Sequence, residues 1–190
     1  MNTKNNTLQS IMDIGLQLVQ ERGYNGFSYA DIAEAVGIRK ASIHYHFPSK
    51  QDLVQAVLIR YRMDFVQKLK QIHLQHINGR EKLQLFFNLY RETLENNTKL
   101  CLCSMMAAEL NSFPEEIRNE LNIFFRANEK WLEEVLEQGK RDDDFEASMN
   151  AGEQAKILIA FVQGAQLLSR TSGEMSYYDA LVANVMSSLR

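Results

Sequence analysis

The stretch Ser28-Tyr29-Ala30-Asp31-Ile32-Ala33-Glu34-Ala35-Val36-Gly37-Ile38-Arg39-Lys40-Ala41-Ser42-Ile43-His44-Tyr45-His46-Phe47 holds the signals for two short helices folded about a glycine. Phe27 precedes Ser28 and Ile32 follows it four residues on, the spacing of a hydrophobic staple around an N-cap serine, and Asp31 stands where a capping acid belongs. The helix through Ile32, Ala33 and Val36 stops at Gly37, which takes positive φ without the steric cost of a Cβ. A second helix fits only between Arg39 and Phe47, because Pro48 turns the residue before it away from helical ψ. Residues 28–47 are therefore predicted to form a helix-turn-helix. In such a unit the first helix braces against the phosphate backbone while the start of the second enters the major groove.

Lys40, Ala41, Ser42 and His44 occupy that start. Lysine donates to guanine acceptors, a serine hydroxyl serves either partner, and a small alanine permits close approach or contact with a thymine methyl. Tyr45, His46 and Lys50 follow where a recognition helix meets the sugar-phosphate edge. Ser28 and Tyr29 open the first helix, whose amides can face a phosphate. Ile32, Ala33, Val36, Ile43 and Phe47 are read as the contacts that lock the two helices together. Helical pairs with a glycine turn also occur in proteins that never touch DNA, and Tyr45 fits packing as well as recognition.

Outward from this unit the pattern is helical throughout. Leu8, Ile11, Met12, Gly15, Leu18 and Val19 share one face of a first helix, ended by Glu21-Arg22-Gly23. Ser49 and Asp52 restart a helix sustained to about His76, Gly79 breaks it, and another covers about 80–96 before the polar Asn96-Asn97-Thr98. A short helix is predicted over about 101–111. Ser112-Phe113-Pro114-Glu115 reads as a capping box opening a long helix to Gly139, followed by a solvated loop over Lys140–Ser148. The last two helices cover about 150–171, closed by Gly173, and the segment opened by Ser176 and Asp179. Nine helices and no strand make the chain all-α, with a three-helix N-terminal head and a C-terminal helical bundle. Two prolines and nine scattered glycines in 190 residues agree with that class.

Hydrophobic and charged fractions of 45% and 24% are those of an ordered soluble protein. The net charge of −3 argues against a surface that coats nucleic acid along its whole length. Its distribution is uneven: residues 1–76 hold nine Lys/Arg against six Asp/Glu, and residues 77–190 hold twelve against eighteen. A basic head joined to an acidic body is the arrangement expected of a small nucleic-acid-binding module with a sensor. Met1–Asn6 has no apolar stretch behind a charged start, and the apolar run near Leu100–Leu110 falls far short of the roughly 20 residues that span a bilayer, so a cytoplasmic location is expected. Cys101 and Cys103 are too few for a disulfide scaffold.

Over about residues 7–60 the chain closely resembles the tetracycline-repressor (TetR) family of one-component regulators. The resemblance rests on Phe27 before Ser28, on Asp31-Ile32-Ala33 and Val36-Gly37-Ile38, and above all on Ser42-Ile43-His44-Tyr45-His46-Phe47-Pro48-Ser49-Lys50-Gln51-Asp52-Leu53. Two positions depart from the family's pattern. Arg39 stands where a serine or threonine cap is common, which trades capping for a further phosphate contact, and His44 stands where tyrosine is usual, which affects base preference. The resemblance implies a DNA-binding domain over 4–64 and a ligand-binding and dimerisation domain over 65–190. It also implies a homodimer built on the final two helices, double-stranded operator DNA as partner, and a small-molecule effector enclosed by the body that moves the heads apart.

Small Gly164 and Ala165 among Leu158, Val162 and Leu168 suit close helix approach, so these residues, with Leu181, Val185 and Met186, are the expected dimer interface. Candidate effector contacts are Phe65, Phe86, Tyr90, Cys103, Met106, Phe124, Trp131 and Phe161, because flat aromatics and adaptable methionines line apolar pockets as readily as they fill cores. An apolar or amphipathic effector is expected. The body's acidic surplus suits either a cationic ligand or a solvated face. Cys101 and Cys103 fit packing or electrophile sensing, and an internal disulfide there would require the helix to unwind. His73 and His76 lack a second Cys/His pair at ligand spacing, so no metal site is expected, and no cofactor motif is evident. No glycine-rich phosphate loop, zinc-protease pair or nucleophile elbow supports an enzyme. A helical carrier without DNA activity is the better rival, and it predicts that Lys40 and His44 are dispensable.

Overall fold

Where each helix starts and stops is decided by local chemistry that the computed structural model makes explicit over residues 3–94, 98–146 and 150–189. Nine α-helices and no strand occur among these described residues. They are α1 (Thr3–Arg22), α2 (Tyr29–Val36), α3 (Lys40–His46), α4 (Lys50–His73), α5 (Gly79–Leu94), α6 (Leu102–Ala108), α7 (Glu115–Arg141), α8 (Ala151–Ser172) and α9 (Met175–Ser188), with one 3₁₀ turn at Leu110–Ser112. The expected polar end at Asn96-Asn97 and the end of the acidic loop at Ser148 lie outside the described residues.

Two capping boxes hold the head. Ser28 N and Oγ each donate to Asp31 Oδ2 at 2.8 Å, and Ala30 N donates back to Ser28 Oγ at 3.2 Å. Those bonds hold the Asp31 carboxyl below its usual pKa, the Ser28 side chain contributing most. Ser49 and Asp52 repeat the arrangement at the start of α4, with Ser49 N to Asp52 Oδ2 at 2.8 Å and Asp52 N to Ser49 Oγ at 3.1 Å. Between them Gly37, at φ 74°, closes α2 in a Schellman pattern. Its N–H reaches Glu34 O at 3.3 Å, and Ile38 N reaches Ala33 O at 3.0 Å. A side chain at this left-handed position would be strained, which is why the turn carries glycine.

Some expected boundaries shift. α4 ends at His73 instead of His76, and Gly79 opens α5 instead of only breaking its predecessor. Asn78 is the reason: Glu81 N donates to Asn78 Oδ1 at 2.8 Å while Asn78 N donates to Glu81 Oε2 at 3.0 Å, a reciprocal cap. Ser176 and Asp179 do not form the expected cap of α9. Asp179 instead takes both Nε and Nη2 of Arg91, at 2.6 and 2.9 Å, an ion pair that lowers its pKa.

The described chain falls into two compact units. One holds the chain up to Met63 together with Leu102–Leu121; the other holds Asp64–Cys101 and the chain from Asn122 onward. The segment Leu102–Leu121 thus belongs to the N-terminal unit, with α6 packed on α1, although sequence reasoning placed it in the body. In the first unit Ile11, Val19, Ile32, Ile43, Leu53, Val54 and Val57 are buried around α1–α3 and the start of α4. In the second, α5 packs against α8 and α9, and Tyr178 donates to Phe87 O at 2.8 Å.

Candidate nucleic-acid interface

α3 has seven residues and two contrasting faces. Ile43 is fully buried and Phe47, just past its end, nearly so, whereas Lys40, Ala41, Ser42, His44 and Tyr45 are exposed, Tyr45 at 70% of its full surface. Burial of Ile32 and Ala33 on α2 against the same core keeps the two helices in register. The helix is anchored through residues that cannot reach solvent, which leaves its polar row as the face a partner would meet. Arg39 precedes it in extended conformation without a side-chain cap bond, so its guanidinium is exposed and uncommitted to the helix end. His46 is half-buried, with its ring edge-on to Tyr45 at 5.1 Å.

Two expected DNA-facing residues, Tyr29 and Lys50, are turned elsewhere. Tyr29 is buried, its hydroxyl donating to Phe47 O at 2.9 Å and Ser49 O at 2.6 Å, so it fastens the start of α2 to the end of α3. Burial, with Asp52 and Tyr24 adding to it, pushes its pKa up to about 12. Lys50 folds inward: its ammonium donates to Tyr24 O and Phe27 O and lies 3.9 Å from the Phe27 ring centroid and 4.6 Å from that of Tyr24. Burial lowers its pKa, partly offset by the charge of Glu109. Carbonyls and ring faces outcompete solvent for this ammonium, and no sequence pattern marks them. Ser28 is exposed, but its amide and hydroxyl are committed to Asp31. His44 keeps an exposed ring edge while its Nδ1 lies 3.2 Å from Pro48 O and its ring packs edge-on to Tyr29 at 4.9 Å.

In the second unit Phe65, Phe86, Tyr90, Phe124 and Trp131 form one cluster. Ring centroids lie 5.3 Å apart for Phe65–Tyr90 and Phe65–Phe124, 5.1 Å for Phe86–Tyr90 and 5.7 Å for the stacked Phe86–Trp131 pair. Polar groups thread this cluster: Tyr90 donates to Asn128 Oδ1 at 3.3 Å, Gln166 Nε2 to Tyr90 O at 2.6 Å, and Cys101 N to Gln166 Oε1 at 3.2 Å. Asn128 and Gln166 are almost fully buried. Trp131 donates to Leu69 O at 3.0 Å and floors a surface groove of about 360 Å³ with Val66, Leu69, Leu74 and Ala127. Cys103 and Met106 are buried on α6 in the first unit. No disulfide joins Cys101 and Cys103, and no group of three or more His, Cys, Asp or Glu residues able to hold a metal occurs among the described residues.

α8 carries two apolar stripes where sequence reasoning assigned one. Leu158, Val162 and Ala165, expected at the dimer interface, are buried against the chain's own α5 and α9, as is Met186 on α9. A second stripe, Ile157, Phe161, Gly164 and Leu168, lies about 100° further round the helix; Ile157 and Leu168 are exposed, and Phe161 and Gly164 are half-buried. Ile157 and Leu168 are 56% and 51% exposed. Tyr177, Leu181 and Val185 continue this open face on α9. Leu168 is exposed and Leu181 and Val185 are half-buried, while Phe161, expected to touch the effector, is half-buried with its ring edge-on to the fully buried Phe87 at 5.9 Å. The signal that separates the faces is the i, i+4, i+7, i+11 recurrence of Ile157, Phe161, Gly164 and Leu168.

An exposed polar recognition helix, locked to a capped and glycine-hinged partner in an all-helical chain, defines a helix-turn-helix DNA-binding regulator. The family model of bacterial regulatory proteins, tetR family, matches residues 11–57, and that of the tetracyclin repressor-like C-terminal domain matches residues 79–185. The chain belongs to the TetR family of transcriptional regulators. It superimposes with a TM-score of 0.92 on a TetR-family transcriptional regulator from Agrobacterium tumefaciens, at 31% identity over 98% of each chain. A TetR transcriptional regulator from Legionella pneumophila gives 0.86 at 33% identity, covering 100% of this chain and 98% of that one. The HTH-type transcriptional repressor NemR of Escherichia coli (strain K12) is 24% identical, over 96% of this chain and 94% of its own length. No helix among the described residues is long and apolar enough to cross a membrane.

Proposed function

We propose that this regulator is a cytoplasmic repressor that binds a palindromic operator as a homodimer and releases it when an apolar or amphipathic small molecule occupies the body. The observation that carries the reading is the division of α3 into a buried anchor, Ile43, and an exposed polar row, Lys40, Ser42, His44 and Tyr45. Residues 4–64 supply DNA binding and 65–190 supply effector binding and dimerisation. Lys40, Ala41, Ser42 and His44 meet base edges, and Arg39, Tyr45 and His46 meet the sugar-phosphate edge. Ser28 stands beside the backbone, while Tyr29 and Lys50 act from behind by fixing the geometry of the pair.

The aromatic cluster of Phe65, Phe86, Tyr90, Phe124 and Trp131, crossed by the amides of Asn128 and Gln166, supports an effector with a flat apolar body and a hydrogen-bonding group. The open face of α8 and α9 supports pairing with a second copy through a four-helix contact. That a relative of nearly equal length is named a repressor favours repression over activation. Nothing in the reading requires catalysis or a cofactor. The test is a mobility-shift assay against duplexes enriched from a random library by the wild-type protein. Enrichment of a palindrome, lost in Lys40→Ala and His44→Ala while the dimer persists, supports the reading. A folded dimer that retards no duplex at low salt refutes it.

A further inference from the structure

The turn between α1 and α2, residues 23–27, is held from a place 84 residues further along the chain. Glu109, between α6 and the 3₁₀ turn, accepts two hydrogen bonds on Oε2, from Asn25 N at 3.0 Å and from Asn25 Nδ2. Asn25 Nδ2 also reaches Ser112 Oγ at 3.2 Å, and the Tyr24 ring packs edge-on to Phe113 at 4.8 Å. A Cβ on Gly23, whose φ is 79°, would run into the Glu109 carboxylate. The Lys50 ammonium takes the carbonyls of Tyr24 and Phe27. The turn runs straight into Ser28, the cap of α2, so whatever sets its path sets the angle at which α2 and α3 leave α1.

Glu109 is thus a charged acceptor that touches no exposed residue of α3 yet fixes the frame on which α3 is carried. The α6 side of this contact is itself tied down, since Arg118 donates to Phe113 O at 2.8 Å and Glu120 pairs with Arg62 of α4 at 2.8 Å. Hydrogen bonds to an ionised acceptor are stronger than neutral ones, and Asn25 presents two donors to a single oxygen. We propose that Glu109 is a positioning residue for operator binding: through Asn25 it fixes the 23–27 turn, so that loss or displacement of its carboxylate lowers DNA affinity without removing any protein–DNA contact. The inference rests on the DNA-binding reading above.

The experiment measures affinity for the duplex that the wild-type protein enriches, by fluorescence anisotropy across a salt series, for Glu109→Ala, Glu109→Gln, Asn25→Ala, the Asn25/Glu109 double variant and Arg39→Ala. Glu109→Ala is expected to weaken binding about tenfold, the scale of a lost charged hydrogen-bond pair, with the slope of log K against log salt unchanged because no phosphate contact is lost. Arg39→Ala, which removes a contact to the sugar-phosphate edge, is expected to lower that slope by about one. Glu109→Gln keeps a carbonyl acceptor for Asn25 and stays within about threefold of wild type. Asn25→Ala on the Glu109→Ala background adds little, because both remove one interaction. Wild-type affinity in Glu109→Ala, an altered salt slope, or additive losses would overturn the assignment. If Glu109→Ala loses its circular-dichroism signal, Asn25→Ala decides, and wild-type affinity in that variant overturns the assignment equally. A wild-type protein that enriches no duplex removes the DNA reading, and this inference with it.

Discussion

α3 and α8 are both helices closed on one side by their own chain and open on the other, but their open sides differ in kind. The open side of α3 is Lys40, Ser42, His44 and Tyr45; that of α8 is led by Ile157 and Leu168, with Phe161 and Gly164 half-buried between them. A polar row is content in water and can wait for a partner, so contact with DNA is reversible and weakened by salt. An apolar stripe costs free energy for as long as it stays wet, so it favours a permanent cover, which on the proposed reading is a second copy of the chain. On that reading the chain carries a switchable interface and a standing one, distinguished by side-chain chemistry and not by helix geometry.

Breaking the standing interface has the largest expected effect. Ile157→Glu with Leu168→Glu removes two apolar contacts per subunit and sets like charges against each other across the axis, so sedimentation should show a monomer. Binding by one head forfeits the gain from engaging two half-sites, and operator affinity should fall by about 10²- to 10⁴-fold. An intact dimer in this variant would disqualify the α8 face. The switchable interface is broken more gently. Arg39→Ala should lower affinity about tenfold, with the dimer unchanged and the salt slope reduced by about one, as anisotropy titrations at several salt concentrations would reveal.

The two helices also differ in how far they were legible from sequence. α3 could be placed to within a residue because its determinants are local: a staple at Phe27 and Ile32, a capping box at Ser28 and Asp31, Gly37 for the left-handed turn and Pro48 as a stop. The inward roles of Tyr29 and Lys50 were not legible, because the carbonyls of Phe47, Ser49, Tyr24 and Phe27 that attract them carry no sequence signature. For α8 the helix was legible but its faces were not. Apolar residues nearly surround it, and periodicity alone cannot tell which stripe meets the chain's own core. The aromatic cluster emerged in part: five of its expected members meet, while Cys103 and Met106 lie in the other unit and Phe161 packs edge-on to Phe87. Glu109 was invisible, since nothing near it in sequence announces a partner at Asn25.

Tyr29 sharpens the contrast from within the head, since it supports the polar row without belonging to it. Tyr29→Phe leaves the ring and removes one hydroxyl proton shared between two carbonyl oxygens, so thermal unfolding should show a loss of about 1 kcal/mol while the salt slope of DNA binding stays fixed. The effect should also depend on pH. Its folded pKa, about 12, lies above the value near 10 of an unfolded tyrosine, so the folded state holds the proton more tightly. That contribution is complete below about pH 10 and fades as pH rises towards 12. The stability gap between wild type and Tyr29→Phe should therefore narrow over that window, and a constant gap would mean that the hydroxyl is not held as described.

The smallest expected effect separates a helix from its surface. A Cβ at Gly164 meets nothing within 4 Å in the chain itself, so Gly164→Ala introduces no clash inside the subunit, and alanine is favoured over glycine in a helix interior by about 1 kcal/mol. If Gly164 were merely an exposed helical residue, the variant would be more stable in every respect. If instead it lies where two copies of α8 cross, the added methyl stands between backbones that glycine allows to approach, and association weakens while the isolated fold gains. The two readings predict opposite signs for the concentration dependence of unfolding. Melting temperatures measured over a hundredfold range of protein concentration should show Gly164→Ala more stable than wild type when dilute and less so when concentrated, because dimerisation stabilises by mass action only the form able to pair. A uniform rise at all concentrations would place the dimer contact elsewhere on α8 and leave Ile157 and Leu168 to account for themselves.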